Sequence, residues 1–347
     1  MTDEIWTGVD RLIDQAPGLA GLRAHRLHLL AAKRWRHLGR GIPDELSREE
    51  TVAAAVSVTA TQVLSRVRAA YDGQLVLLKG PEIADRYPAP NARSFVDLDI
   101  LAEDPDQAQK ALLAAGFKAC GKEDNYYDGL HHLRPLYYPT YPVPLVEIHR
   151  RPNWVEWGDS PEAAELFEAA VPATSAPGLL ALPAAHHSLV IAAHSWIELP
   201  LRRLSDLVDF LAVGIAADQR EVEELAIRWK IDRVWNTTRA AAEALILGEG
   251  DPLSLRLWAR NLRAVRDRTV LQEHVRRSAS PFWALPARRA VVESARSLVR
   301  DATPTPPETW ASKLRRTRQA ILNPSRPATE HRRQLGGEAY KSRLRRR

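Results

Sequence analysis

The stretch LLKGPEIADRYPAPNARSFVDLDIL, residues 77–101, decides how the chain is read. A short apolar run ends in Lys79-Gly80, a loop carries Arg93, and Asp97-Leu98-Asp99 then stands between apolar residues. Side chains alternate across a strand, so two carboxylates at i and i+2 share one face. Val96, Leu98 and Ile100 are expected on the other face. One face of the strand would feed a core, and the other would present paired acids.

Working outward, residues 1–72 read as helical. Ser47-x-x-Glu50 has the form of a capping box, and an Ala-, Val- and Leu-rich run follows to Tyr71 before Asp72-Gly73 breaks it. Strands are expected at 75–78, 95–101, 117–120, 131–138 and 144–149. Short helical turns are expected at 81–87, and a helix at 104–115 closed by Gly116. Leu145-Val146-Glu147-Ile148-His149 alternates cleanly, with Glu147 and His149 on one face. The Pro-rich stretch 172–183 reads as a connector. Helices should then cover 184–213 with a break near Pro200, and 219–230, 233–247, 253–277 and 286–300. Residues 303–308, TPTPPE, precede a last basic helix. The division expected is a helical N-terminal region (1–72), an α/β core (73–171), a helical C-terminal domain (172–302) and a basic, partly disordered tail (303–347).

The 347 residues, 45% apolar, suffice for one large domain or two ordinary ones. No apolar run approaches the length of a membrane helix, and the N-terminus lacks the pattern of a secretory signal. The single cysteine, Cys120, excludes an internal disulfide framework and a cysteine-based zinc site. A cytoplasmic protein with no membrane partner is the expectation. The net charge of +6 is unevenly placed: residues 311–347 hold twelve Lys or Arg against two Glu, a balance of +10. The other 310 residues therefore balance at −4. A body that tracks a duplex would itself be basic, so nucleic acid is expected only through the tail, if at all.

Paired carboxylates on a strand suit one chemistry in particular. Phosphoryl and nucleotidyl transfer depends on cations that neutralise developing charge and align the reacting oxygens. Magnesium takes oxygen ligands and is typically held by a few carboxylates plus substrate phosphates. Asp97 and Asp99 supply two, and Glu147 is the best third, since a charge in an apolar-alternating strand needs a reason. Lys79 and the Gly80 backbone sit at a strand-to-helix turn suited to phosphate, while Arg93 would touch phosphate or brace the acids. His149 reads either as a second partner orienting Glu147 or as a half-buried core histidine. His186, His187 and His194 read as helix packing rather than a metal site, and Asp206 and Asp209 as ion pairs with Arg202 and Arg203, on a helix surface or bracing the α/β unit.

These residues resemble a nucleotidyltransferase family whose hallmark is a strand ending Leu-Lys-Gly, a Tyr-Pro loop, an arginine and Asp-x-Asp. That family belongs to the polymerase-β-like superfamily. The resemblance covers roughly residues 72–215. It also takes in the VEIH strand and a downstream region, His194 with Arg202, Arg203, Asp206 and Asp209. It implies an α+β fold, a polymerase-β-like mixed sheet flanked by helices. It implies magnesium or manganese on Asp97, Asp99 and Glu147, with a nucleoside triphosphate on Lys79, Gly80 and Arg93. Its implied reaction transfers NMP from NTP, ATP included, to an acceptor that is a peptide, protein, small molecule or RNA. Lys79-Gly80-Pro81 departs from the superfamily's usual Gly-Ser, and Pro81 removes one N–H donor. The rival readings are a catalytically inactive binding or scaffold protein of the same fold, and an RNA-modifying nucleotidyltransferase.

Overall fold

The computed structural model describes residues 2–330 apart from 123, 156, 198, 258 and 305–307. Four helices come first: α1 (Thr2–Gln15), α2 (Leu19–Ala24), α3 (His28–His37) and the long α4 (Asp44–Ala70). The α/β segment follows as β1 (Leu75–Leu77), α5 (Pro81–Ala84), β2 (Asp97–Ala102), α6 (Pro105–Ala114), β3 (Lys118–Ala119), β4 (Leu136–Tyr138), β5 (Tyr141–His149), α7 (Ala163–Ala169), β6 (Val171–Pro172) and β7 (Leu180–Ala181). Two helices face the sheet, α8 (Ala184–His194) and α9 (Leu204–Gly214). The chain continues through α10 (Gln219–Arg228), α11 (Asp232–Ala242), α12 (Leu253–Leu257), α13 (Arg260–Arg263), α14 (Val270–Ala279), α15 (Pro281–Ala284), α16 (Ala287–Ala302) and α17 (Trp310–Leu322). Among the described residues no helix is long and apolar enough to cross a membrane.

The seven strands form one mixed sheet in the order β3-β4-β5-β2-β1-β7-β6. β2 is central, antiparallel to β1 and parallel to β5. Its Leu98 and Ile100 side chains are fully buried, in one core with Val63, Leu64 and Val67 of α4 and Leu112 of α6. Truncating a buried Leu or Ile to Ala costs about 2–5 kcal/mol, so this face anchors the strand. Leu101 and Val76 join the opposite core, with α1, α8 and α9. The architecture is the α+β sheet with helical flanks that the resemblance implies.

Several local expectations need correction. α4 starts at Asp44, so Ser47 lies inside the helix and not at its cap; Glu50 instead pairs with Arg36. Val96 precedes the strand and is exposed rather than on the core face. The connector 172–183 also contributes strand, because β7 adds in parallel to β1 and carries β6 beside it. The helix expected over 253–277 is broken into α12, α13 and α14. The helix at 104–115 forms with Asp104 as cap, its carboxylate accepting from the Gln107 N–H at 2.9 Å, and Gly116 ends it at φ 95°. The basic tail beyond residue 330 lies outside the described residues.

Gly80 takes φ 75° between β1 and α5, and a Cβ there would stand 3.3 Å from the Leu98 side chain. Left-handed backbone is open to glycine and strained for other residues. Gly80→Ala is expected to destabilise the fold by about 1–2 kcal/mol, measured by urea unfolding. An unchanged unfolding midpoint would refute that strain.

Candidate active site

The parallel pairing of β2 with β5 sets Asp99 opposite Glu147 and Leu101 opposite His149. The apolar faces of both strands are committed to the core, so Asp97, Asp99, Glu147 and His149 are driven to the other side. Asp97, Asp99 and Glu147 line one cavity of about 370 Å³ together with Lys79, Gly80 and Arg93. All six residues singled out for metal and nucleotide thus meet in one place. His149 lies just behind, 1% exposed, with Nε2 3.0 Å from Asp99 Oδ1 and 3.8 Å from Glu147 Oε2.

The end of β1 delivers the lysine. The Leu78 N–H donates to the Asp99 carbonyl at 2.9 Å, which places the next side chain beside the Asp99 carboxylate. Lys79 Nζ stands 3.6 Å from Asp99 Oδ2 and 2.9 Å from His194 Nδ1. His194 therefore lines the cavity, as its place in the downstream resemblance allows and the packing role read from its spacing does not. Its ring is held neutral, pushed well below the usual histidine range by burial and then by the Lys79 charge. His187, one heptad earlier on α8, does serve packing, since its Nε2 meets the Leu78 carbonyl at 2.8 Å.

Arg93 is held rather than free to swing. Its Nε and Nη2 donate to the two Asp209 oxygens at 2.8 and 2.9 Å, and the Tyr87 hydroxyl donates to the same carboxylate at 2.7 Å. Asp209 thus braces the α/β unit, the second of the two expectations for it. The Tyr-Pro loop and Arg93 are tied to α9 by this buried carboxylate. Arg93 Nη1 remains buried with no hydrogen-bond partner among the described residues. Sequence reasoning missed Arg26, which lines the cavity from the turn between α2 and α3, and left Arg202 and Arg203 as braces although they line it too. The only hints were an arginine doublet just after Pro200 and its place in the downstream resemblance.

Burial, and then the crowding of acids, sets the electrostatics. Burial, and then the Asp99 charge, pushes the Glu147 carboxyl up to about 7 and raises Asp97 as well. Asp99 is also opposed by burial, but Lys79 and the hydrogen bond from His149 outweigh it and hold that carboxyl well below its usual range. Among the described residues, ligand atoms of Asp99, Glu147 and His149 all lie within 4.8 Å of one another, a spacing that a metal ion can bridge. Asp97 stands beside this group along β2 and lines the same cavity. Carboxylates raised by burial and then by one another fit a hard divalent cation.

The Glu147 shift has a consequence for stability without metal. The folded protein keeps a proton there that the unfolded chain releases between pH 4.5 and about 7. Folding stability therefore falls as pH rises through that window, and a penalty on the order of 2–3 kcal/mol persists above it. In the presence of chelator, Glu147→Gln is expected to raise the melting temperature at pH 8 and leave it nearly unchanged at pH 4. Equal effects at both pH values would contradict the buried-charge account.

No curated protein and no solved structure matches the chain. Residues 13–246, 234 of the 347, match a family described as an uncharacterised nucleotidyltransferase. That span holds α2 to α11, the whole sheet, both carboxylate strands, Lys79, His194 and the Arg93–Asp209 pair. By this match over two thirds of its length, the chain belongs to the uncharacterised nucleotidyltransferase family.

Proposed function

We propose that the protein is a metal-dependent nucleotidyltransferase that moves NMP from a nucleoside triphosphate to an acceptor and releases pyrophosphate. One observation carries the reading: Asp99 and Glu147 stand in register on adjacent strands, with Asp97 on the same cavity wall and Lys79 at the neighbouring strand end. Asp97, Asp99 and Glu147, with His149 beside them, would hold magnesium or manganese. Such a cation supplies charge neutralisation on the phosphates and helps keep the reaction in line.

The chain's own groups divide the remaining work. An acceptor oxygen forms the new bond to the α-phosphorus, the bond to the bridging oxygen breaks, and pyrophosphate leaves with that electron pair. Glu147, the acid raised to about 7, is placed to take the acceptor's proton on its carboxylate at neutral pH. Lys79 offsets charge on the phosphates, and Gly80 lets the backbone approach them. The neutral ring of His194 accepts from Lys79 and keeps the ammonium at the cavity wall. Arg93, fixed by Asp209, presents its remaining guanidinium edge. The acceptor is a peptide, a protein, a small molecule or RNA.

Asp97→Asn combined with Asp99→Asn is expected to lower magnesium-dependent NTP turnover by at least about a thousandfold, several kcal/mol of transition-state stabilisation. Its circular dichroism and melting should stay close to wild type. Undiminished turnover in the double variant would sink the assignment. Calorimetry with ATP, GTP, CTP and UTP plus magnesium tests the reading at its base, since a scaffold would bind none of them.

A further inference from the structure

We propose that Arg26, Arg202 and Arg203 form the polyphosphate subsite of the cavity, and that His25 is the positioning residue that sets them there. The inference rests on the nucleotidyltransferase reading and adds to Lys79 and Gly80 a further set of phosphate partners lining the same cavity.

The turn is a weak phosphate clamp by itself. Pro81 lacks an N–H, and α5 is only four residues long. Lys79 already faces Asp99 and His194, and Arg93 already forks onto Asp209. The positive charge on that side is largely answered by the protein's own acids. The second set of cations is also engaged with the protein, but it gathers three guanidiniums around the single carboxylate of Asp206. Arg26, Arg202 and Arg203 line the same cavity as the three carboxylates, and guanidinium forks match phosphate oxygens. Asp206 sits among them: burial raises its carboxyl, and Arg203, Arg26 and Arg202 pull it back. At about 370 Å³, the cavity is in the range of small-ligand sites.

The three arginines come from two segments far apart in sequence, and one buried histidine joins those segments. The His25 carbonyl accepts from the Ser205 N–H at 3.2 Å, and its Nδ1 accepts from the Leu204 N–H at 3.4 Å. Nε2 faces the Arg266 carbonyl at 2.9 Å. Because Nδ1 meets an N–H, the proton must sit on Nε2, where a carbonyl receives it. The ring is 1% exposed and burial pushes its pKa down to about 4, so it stays neutral and keeps both bonds at physiological pH. Arg26 follows directly, at φ 57°, a left-handed backbone that is costly for a non-glycine residue. Strain of this kind persists where surrounding structure enforces it; here the Arg26 N–H donates to the Arg23 carbonyl at 3.1 Å and the Leu27 N–H to the Leu22 carbonyl at 2.8 Å, beside the contacts of His25.

The test uses the full chain and calorimetry with two probes, magnesium ATP, and inorganic tripolyphosphate in chelator. Tripolyphosphate has neither base nor sugar, and without cation it reads the cationic side chains of the cavity, among which the variants isolate the arginines. Wild type is expected to bind both. Arg26→Ala, at an exposed position that leaves the fold intact, and Arg203→Lys, which keeps charge but loses the fork, should each weaken tripolyphosphate at least about fivefold. Asp97→Asn with Asp99→Asn should bind it at least as tightly as wild type, since repulsion is removed. His25→Leu should lose tripolyphosphate affinity, and His25→Asn, whose side-chain oxygen replaces Nδ1 as acceptor, should recover much of it. Wild type that binds magnesium ATP but not tripolyphosphate, or arginine variants within twofold of wild type, overturns the subsite and leaves the nucleotidyltransferase reading standing. Wild type that binds neither probe overturns both.

Discussion

The site depends on the register between β2 and β5. A strand with one buried face has little choice of pairing, because a slip of one residue turns its whole apolar set outward. Leu98 and Ile100 on β2, and Val146 and Ile148 on β5, are all fully buried. Their packing against α4 and α6 therefore fixes where Asp99 and Glu147 meet. The acids need no attraction between them, and they have none: they repel, and the hydrophobic core holds them together against that repulsion. A cation site prepared in this way carries its own demand for positive charge.

That demand is met unevenly by the protein. Asp99 has Lys79 and His149, whereas Asp97 and Glu147 are left with raised carboxyls. The cavity is thus graded, with one acid firmly ionised and two easily protonated. The gradient follows from sheet geometry. Asp99 sits deepest along β2, next to the end of β1, and Lys79 can reach it. Asp97 and Glu147 are less buried, and Asp97 is near Arg26 and Arg93, which are themselves engaged with Asp206 and Asp209.

Much of this was legible in the sequence, and the reasons are local. Alternation in VDLDIL and LVEIH marks the faces of two strands, and a charge in such a pattern stands out. The turn at Lys79-Gly80-Pro81 is marked by composition. The parts that escaped are those made by tertiary contact. His194 looks like any histidine in the apolar run of α8, and only the packing of α8 onto the end of β1 brings it to Lys79. Arg26 carries no pattern at all, since its role is set by a turn and by a histidine whose partners lie at residues 204, 205 and 266. The apparent cap at Ser47 failed because Pro43 and the acidic first turn start the helix earlier.

The His25 ring also ties the site to the order in which the chain is made. Its Nε2 proton is received by the Arg266 carbonyl, twenty residues past the end of the family match at residue 246. A ribosome-bound chain that has reached the end of α11 holds every carboxylate, Lys79 and all three cavity arginines, yet lacks the carbonyl that receives the His25 proton. Until then water meets that donor, and the 265–266 backbone that packs on Gly21 is missing. The segment that follows α11 would then act as a late fastener, and the cavity would take its final form only when synthesis has passed α13.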